Sequence, residues 1–137
     1  MLFDTVTGAG LNGMLGYDCV VWQTAYLTST LSQSDQDNLS GYLDAGGSLF
    51  LSSMDFLTGV TMPNNFVTSY LGVASYTNNT HASSVSGVGG DPITDGMNMT
   101  LNWPSGPANR VDTVNPATGA VVIFNSDTNH PAALRYG

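Results

Sequence analysis

Few side chains in this 137-residue sequence are of types that carry out chemistry. It contains two histidines, His81 and His130, and a single cysteine, Cys19. Structural zinc sites need several histidine or cysteine ligands at short, regular spacings, and two histidines about fifty residues apart do not supply them. The sequence therefore predicts no metal site and no bound cofactor.

Calcium is the metal for which the sequence offers suitable ligands, because it prefers oxygen atoms. The side chains that supply them are Asp91, Asp95, Asn98, Asn125 and Asp127. No EF-hand loop pattern is present. Asp91 precedes a proline and Asp95 a glycine, and aspartate commonly begins a turn in that setting. We therefore interpret both aspartates as turn residues and keep weak calcium binding as the alternative.

The charge of the chain disfavours two classes of partner. Ten aspartates and two arginines give a formal net charge of −8, and lysine and glutamate are absent. An acidic chain without a basic cluster repels phosphate backbones and anionic membrane surfaces. We therefore expect no nucleic-acid partner and no membrane partner.

The composition gives an indirect indication of where the protein acts. Its polarity comes mainly from serine, threonine, asparagine and glutamine, as in many secreted bacterial proteins. The first residues form no signal peptide, and no run approaches the roughly 20 apolar residues of a membrane helix. The composition favours an extracellular bacterial protein whose export signal would be encoded upstream, and the compartment itself stays open.

Two apolar runs predict a pair of buried β-strands. Residues 17–22 and 48–52 are short, apolar and rich in residue types typical of strands that are covered on both faces. Cys19 lies in the first run, where we expect its thiol to be a small buried side chain without catalytic use.

The segment between these runs predicts an α-helix. Ser32 is a suitable N-cap, and Asp35 falls in the first turn, where a carboxylate favours the positive end of the helix dipole. The pair Gly46-Gly47 provides a left-handed end. A strand, helix, strand order of this kind makes the two strands parallel.

The remainder of the chain predicts one more helix and several short strands. Residues 64–71 have an apolar side and a terminal glycine, which favours a helix, and residues 120–124 and 132–136 favour strands. Turn-forming residues dominate between them. We therefore predict a single α/β domain over residues 1–137, with a mainly parallel sheet and a C-terminal half rich in loops and short strands.

Three segments resemble a known family: residues 17–24 (YDCVVWQT), 39–53 (LSGYLDAGGSLFLSS) and 90–96 (GDPITDG). They are similar to class I glutamine amidotransferase-like domains, close to the ThuA-like branch, which occur in large secreted bacterial proteins. The resemblance covers most of the chain and implies a flavodoxin-like three-layer sandwich. Relative to that family the chain looks trimmed at both ends. Since missing outer strands leave sheet edges unpaired, we expect a homo-oligomer, such as a homodimer, formed through those edges.

The resemblance also locates a candidate nucleophile. The family's nucleophile follows a sheet strand on a sharp turn, at the position of Ser53, where an active glutaminase carries cysteine. Small flanking residues that would form such a turn are absent, so we expect no glutaminase activity. The alternative is a serine-dependent hydrolase in which Ser53 acts with Asp55 and a histidine, His130. The simpler interpretation of His130 is a solvated loop residue.

The carboxyl ends of the two predicted parallel strands suggest a ligand site. Open α/β sheets form their binding crevices at such ends, and residues 22–26 and 53–56 both lie there. The side chains assigned to this site are Trp22, Gln23, Tyr26, Ser53, Met54, Asp55 and Phe56. Ordinary core packing of the aromatic residues is the alternative.

These observations favour a non-catalytic binding or accessory module of amidotransferase-like fold over an enzyme. Its ligand would be a small molecule or a carbohydrate. Two alternatives remain: the serine-dependent hydrolase, and a structural domain that self-associates through its open sheet edges.

Overall fold

The computed structural model of the chain describes residues 10–24, 31–102 and 110–137. Contacts within the chain divide it into two compact units, Met1–Gly59 and Val60–Gly137. The elements of the first unit are helix α1 (Leu11–Met14), strand β1 (Cys19–Gln23), helix α2 (Gln33–Asp44), strand β2 (Ser48–Ser52) and a 3₁₀ turn (Leu57–Gly59). The prediction of one domain over residues 1–137 stays a prediction.

Strands β1 and β2 form a parallel pair. Their register runs from Cys19 opposite Ser48 to Gln23 opposite Ser52, and α2 connects them. This arrangement confirms the predicted strand, helix, strand unit, and it places the carboxyl ends of both strands at the same edge of the sheet.

The ends of α2 are those that the sequence predicts. The Ser32 side chain accepts a hydrogen bond from the Asp35 amide at 3.2 Å, and the Asp35 carboxylate accepts one from the Ser32 amide at 2.9 Å. This reciprocal capping box satisfies amide groups that the first turn leaves without helical partners. At the other end Gly46 has a φ of +91°, a conformation that favours glycine.

Tyr42 fixes the direction of α2 relative to the strands. Its side chain is fully buried, and its hydroxyl donates to the carbonyl oxygen of Tyr17 at 2.9 Å, with the carbonyl of Ser48 3.4 Å away. Both carbonyls lie at the amino ends of the strands, and Tyr42 belongs to the last turn of α2. Since a 12-residue helix and a five-residue strand are both roughly 16–18 Å long, the first turn of α2 lies toward the carboxyl ends of the strands.

The prediction that both strands are covered on both faces is wrong. Burial alternates along β1: Val20 and Trp22 are buried, whereas Val21 is 68% exposed. On β2 Phe50 is 61% exposed. Cys19 is also exposed, which corrects the prediction of a buried thiol. The physical reason is that one crossover helix covers one face of a sheet, and burial of both faces needs a layer on each.

The second unit is built from antiparallel strands. It contains a π-helical turn (Phe66–Tyr70) and the strands β3 (Val73–Thr77), β4 (Ser84–Gly87), β5 (Asn98–Thr100), β6 (Thr113–Pro116), β7 (Val121–Ser126) and β8 (Pro131–Arg135). Strand β3 pairs with β6, and a four-stranded sheet has the order β5-β4-β7-β8. Strands β7 and β8 confirm the two strands predicted near the C-terminus, while the predicted helix over residues 64–71 is the single turn Phe66–Tyr70.

The predicted flavodoxin-like three-layer sandwich with a mainly parallel sheet is wrong. The described residues form small, mostly antiparallel sheets with few helices, and the parallel sheet has two strands. The connections in the second unit explain the difference. Residues 127–130 join β7 to β8, and so short a link cannot hold the crossover of a dozen or more residues that parallel strands need.

The Asp91 side chain connects the turn between β4 and β5 to the last strand, β8. Its side chain is almost fully buried; one carboxylate oxygen accepts hydrogen bonds from the amides of Ile93 and Thr94, at 3.0 and 3.1 Å. The other oxygen accepts from Arg135 Nε at 3.0 Å. The interpretation of Asp91 as a turn residue is thereby confirmed, and the same carboxylate ties that turn to β8.

Acid should destabilise the second unit through Asp91. Burial acts to raise the pKa of its carboxyl, but Arg135 and the hydrogen bonds of Ile93 and Thr94 lower it, and the net pKa lies below the ordinary value. In the unfolded chain the pKa is ordinary, so the ionised carboxylate stabilises the fold above that ordinary pKa, and this contribution is lost as the pH falls through the lowered one.

Urea unfolding followed from about pH 7 to about pH 2 measures this effect. We expect the unfolding midpoint of the wild-type chain to fall with acid and that of Asp91→Asn to be lower at neutral pH and flatter with pH. Asp95→Asn, four residues away in the same turn and exposed, is the matched control and should retain the wild-type profile. An unchanged profile in Asp91→Asn would contradict the assignment.

Candidate functional site

The carboxyl ends of β1 and β2 meet, as the sequence predicts for a binding crevice. The amide of Thr24 donates to the carbonyl oxygen of Ser52 at 3.0 Å, so the pairing of the strands continues one residue beyond β1. We define the strand-end cluster as the residues at this edge, which are Trp22, Gln23, Thr24, Ser53, Met54, Asp55 and Phe56.

The predicted ligand-site residues differ in the fraction of the side chain that is exposed to solvent. Gln23 and Ser53 are exposed, and Met54 is half-buried. Trp22 and Phe56 are 5% and 3% exposed, so their rings pack inside the protein and offer little surface on which a ligand can stack. Tyr26, which the sequence also assigns to this site, lies outside the described residues.

Ser53 has a local structural contact. Its Oγ accepts a hydrogen bond from the amide of Phe56 at 3.0 Å, which closes the turn after β2. Asp55, inside that turn, is 2% exposed. This is a common way for serine to stabilise a turn. The position of Ser53 directly after a strand agrees with the prediction.

The third residue of the catalytic alternative belongs to the other unit. His130 stands in the turn between β7 and β8, where its Nδ1 lies 3.3 Å from the Thr128 hydroxyl. Its backbone carbonyl accepts from the Ser126 amide at 2.8 Å. These are the contacts of an exposed turn residue. The assignment of Ser53, Asp55 and His130 to a hydrolase stays a prediction.

A ring nitrogen and a hydroxyl oxygen buried in the strand-end cluster have no hydrogen-bond partner in the part of the chain that the structure describes. They are Nε1 of Trp22 and Oγ1 of Thr24, and their residues are 5% and 4% exposed. Because side chains two apart in an extended strand lie on the same side, both groups lie on the covered side of the sheet at its carboxyl edge. Most buried polar groups in proteins are hydrogen-bonded, so a pair of exceptions at one edge is a candidate ligand site.

The Thr24 hydroxyl is the member of this pair that sequence reasoning missed. The signal was present in the alternation of β1, because a position two residues after the buried Trp22 faces the same side. The predicted strand ends at residue 22, so the prediction does not extend the alternation to Thr24, which lies on the same side as Trp22.

Removing the Thr24 hydroxyl should stabilise the protein in the absence of ligand. A buried hydroxyl without a partner costs about 1–3 kcal/mol in mutational data, and valine replaces it with a methyl group of similar shape. We therefore expect Thr24→Val to raise the free energy of unfolding by about 1 kcal/mol.

Urea denaturation followed by tryptophan fluorescence measures this difference. Thr58→Val is the matched control, since it makes the same chemical change at an exposed position of the first unit and should alter stability by less than about 0.5 kcal/mol. Destabilisation by Thr24→Val would show that the hydroxyl already makes a stabilising hydrogen bond.

The first turn of α2 makes the surroundings of the cluster unfavourable for anions. A helix N-terminus attracts negative charge, but here the Asp35 carboxylate already accepts from both the amide and the hydroxyl of Ser32, at 2.9 and 2.7 Å. The chain as a whole carries a net charge of −8. The positive end of this helix is therefore neutralised by the protein's own carboxylate.

The described residues offer neither a cluster of metal ligands nor a membrane-spanning helix. No group of three or more histidine, cysteine, aspartate or glutamate side chains stands close enough to hold a metal ion within residues 10–24, 31–102 and 110–137. In the same residues no helix combines the length and the apolar character needed to span a membrane.

Comparisons with protein-family models, curated proteins and solved structures found no match. They therefore identify no amidotransferase-like or ThuA-like domain. The mostly antiparallel sheets contradict the α/β, flavodoxin-like architecture which that resemblance implied. Neither the comparisons nor the fold supports an amidotransferase-like domain, and the functional site rests on the local geometry of the first unit.

Proposed function

We propose that the protein is a non-catalytic binding module whose small-molecule ligand occupies the strand-end cluster. The observation that supports this most directly is the pair of buried polar groups, Trp22 Nε1 and Thr24 Oγ1, without a partner among the described residues. A ligand that bonds to both would compensate for the loss of their hydration. Binding sites at the carboxyl ends of parallel strands are also common in proteins with helices packed on such sheets.

Binding is proposed in preference to hydrolysis because of the contacts of Ser53. Its hydroxyl oxygen accepts from the Phe56 amide, an arrangement that stabilises a turn, whereas nucleophilic activation needs a base that removes the hydroxyl proton.

Ligand binding and hydrolysis are separated by one pair of experiments. A panel of small polar molecules and sugars is titrated into wild-type protein and Ser53→Ala, with isotope-edited NMR of the strand-end residues as the readout, and the same proteins are assayed against ester substrates. We expect saturable shifts in the wild-type protein and no turnover by either protein. Turnover that Ser53→Ala abolishes would replace the binding module with the hydrolase.

Self-association is the second candidate function, and the exposed face of the β1–β2 pair favours it. Val21 and Phe50 are partners in register and are 68% and 61% exposed. The other exposed residues of this face are uncharged: Cys19, Gln23, Ser48 and Ser52. Each of the two strands has one neighbour in the described chain, so each leaves an edge that another strand can pair with.

A homodimer formed through this sheet should respond to a charge on its exposed face. Light scattering across a wide concentration range is expected to show concentration-dependent dimerisation of the wild-type chain, weakened at least tenfold by Phe50→Asp. Cys19→Ser is the control that excludes disulfide-linked dimers, since Cys19 is the one cysteine of the chain. A stable monomer at all concentrations would contradict self-association.

A further inference from the structure

We propose that the ligand of the strand-end cluster is a neutral molecule that presents an oxygen acceptor, a hydroxyl or a carbonyl, to the indole N–H of Trp22. This inference rests on the proposed binding function and adds the chemical class of the ligand. It follows from the hydrogen-bonding capacity of the two buried groups, from the charges around them and from the burial of the aromatic rings.

The two buried groups define what the ligand must offer. An indole N–H donates and cannot accept, whereas a threonine hydroxyl does both. An atom opposite Trp22 Nε1 must therefore be an acceptor, while the atom opposite Thr24 Oγ1 can be either. Hydroxyl and amide groups of small neutral molecules meet both conditions, because a hydroxyl donates and accepts and an amide combines a carbonyl with an N–H.

The charges around the cluster disfavour an anion. Phosphate and carboxylate ligands commonly bind where a helix N-terminus meets the ends of parallel strands. Here the capping box places the Asp35 carboxylate on the first turn of α2, and Asp55, 2% exposed, follows β2 directly. With these two aspartates and a net charge of −8, the site is unfavourable for an anionic ligand.

The same acidic surroundings would suit a cation, but the Trp22 group excludes one at this position. Nε1 would direct its hydrogen, which carries partial positive charge, at the incoming ion, and it has no lone pair available to coordinate it. A metal ion or an ammonium group opposite the indole N–H would leave that donor unsatisfied. A neutral ligand is the class that agrees with both the indole and the carboxylates.

The burial of the rings distinguishes this site from a sugar-stacking surface. Trp22 and Phe56 are 5% and 3% exposed, and Nε1 itself is closed to solvent. Because the rings are covered, a ligand has no ring face on which to stack, and the proposed contact is a hydrogen bond from the polar edge of the indole to one small group of the ligand. This geometry favours small hydroxylated or amide compounds over extended polysaccharide chains.

The test uses the full chain with Trp103→Phe, which leaves Trp22 as the one indole of a protein with two tryptophans. The ¹⁵N–¹H resonance of the Trp22 side chain is followed during titration with glucose and acetamide as neutral probes. Inorganic phosphate and tetramethylammonium are the anionic and cationic probes. We expect a saturable downfield shift with at least one neutral probe and none with the ions.

Matched variants tie the shift to the two buried groups. Thr24→Val should weaken binding of the neutral probe about tenfold, the effect of losing one hydrogen bond of about 1.4 kcal/mol. Thr58→Val should leave it unchanged.

The possible failures can be told apart. A saturable Trp22 shift with phosphate or tetramethylammonium would overturn the neutral class and leave the binding function in place. A neutral probe that shifts the backbone amides of Gln23, Ser53 or Met54 while the Trp22 indole resonance stays fixed would overturn the proposed contact with the indole N–H and also leave the binding function in place. If no probe shifts any resonance of the strand-end cluster, both the proposed ligand class and the proposed binding function are contradicted.

Discussion

Gly87→Ala is expected to unfold the second unit at temperatures where the wild-type chain is folded. A Cβ atom at Gly87 would overlap the backbone carbonyl of Thr94. That carbonyl cannot yield easily, because Thr94 is 1% exposed and its hydroxyl donates to the Ile123 carbonyl at 2.6 Å. Overpacking against fixed backbone costs about 3 kcal/mol or more, equivalent to a fall in melting temperature of more than about 10 °C for a domain of this size.

Gly89→Ala is the matched control for this prediction. It makes the same change two residues further along, where a Cβ atom meets nothing within 4 Å, and it should alter the melting temperature little or raise it slightly. Amide hydrogen exchange of β4 and β7 assigns the loss to the second unit. Equal melting temperatures of the two variants would mean that the Thr94 carbonyl does not approach Gly87 closely.

Gly47→Ala is expected to be the most damaging small substitution in the first unit. A Cβ atom there would overlap the ring of Tyr42. Tyr42 is 1% exposed, and its hydroxyl donates to the Tyr17 carbonyl at 2.9 Å. The ring can therefore move only by losing its buried packing and this hydrogen bond. We expect a loss of about 3 kcal/mol in the free energy of unfolding, measured by urea denaturation.

Two comparisons isolate the steric cause. Gly46→Ala, one residue earlier, places a Cβ atom in open space at a φ of +91°, so backbone strain alone should cost it about 1 kcal/mol. In a Tyr42→Leu background the ring is gone, and the added cost of Gly47→Ala should shrink well below its cost in the wild-type chain. An undiminished cost in that background would rule out the ring as the cause.

The local structure of the first unit was predictable because its signals are short-range. The capping box of Ser32 and Asp35 is encoded within four residues. The glycine at the end of α2 is also a local signal, and the parallel direction of β1 and β2 follows from the helical connection between them.

The exposure of Val21, Phe50 and Cys19 was not predictable in the same way. An apolar run has the same appearance whether one face or both faces of its strand are covered. Which case applies depends on the layers that pack against the sheet, and these are set by residues far along the chain.

The second unit was mispredicted for a related reason. The sequence predicts its strands over residues 120–124 and 132–136, but the prediction of a mainly parallel sheet is wrong for them, because β7 and β8 are antiparallel. The short link between them, residues 127–130, is the local signal for antiparallel pairing.

The candidate site was predicted in part. The meeting of the two strand ends followed from parallel pairing, whereas the buried hydroxyl of Thr24 depended on one additional residue of pairing beyond β1.

The ion pair between Asp91 and Arg135 also bears on how the chain is made. The two residues are 44 positions apart, so at about 5–20 residues per second a ribosome adds the arginine roughly 2–9 seconds after the aspartate. The Tyr42 contact with Tyr17 spans 25 residues and is complete long before. During synthesis the first unit can therefore close early, while the sheet of the second unit remains without β8 until residues 131–135 have been made.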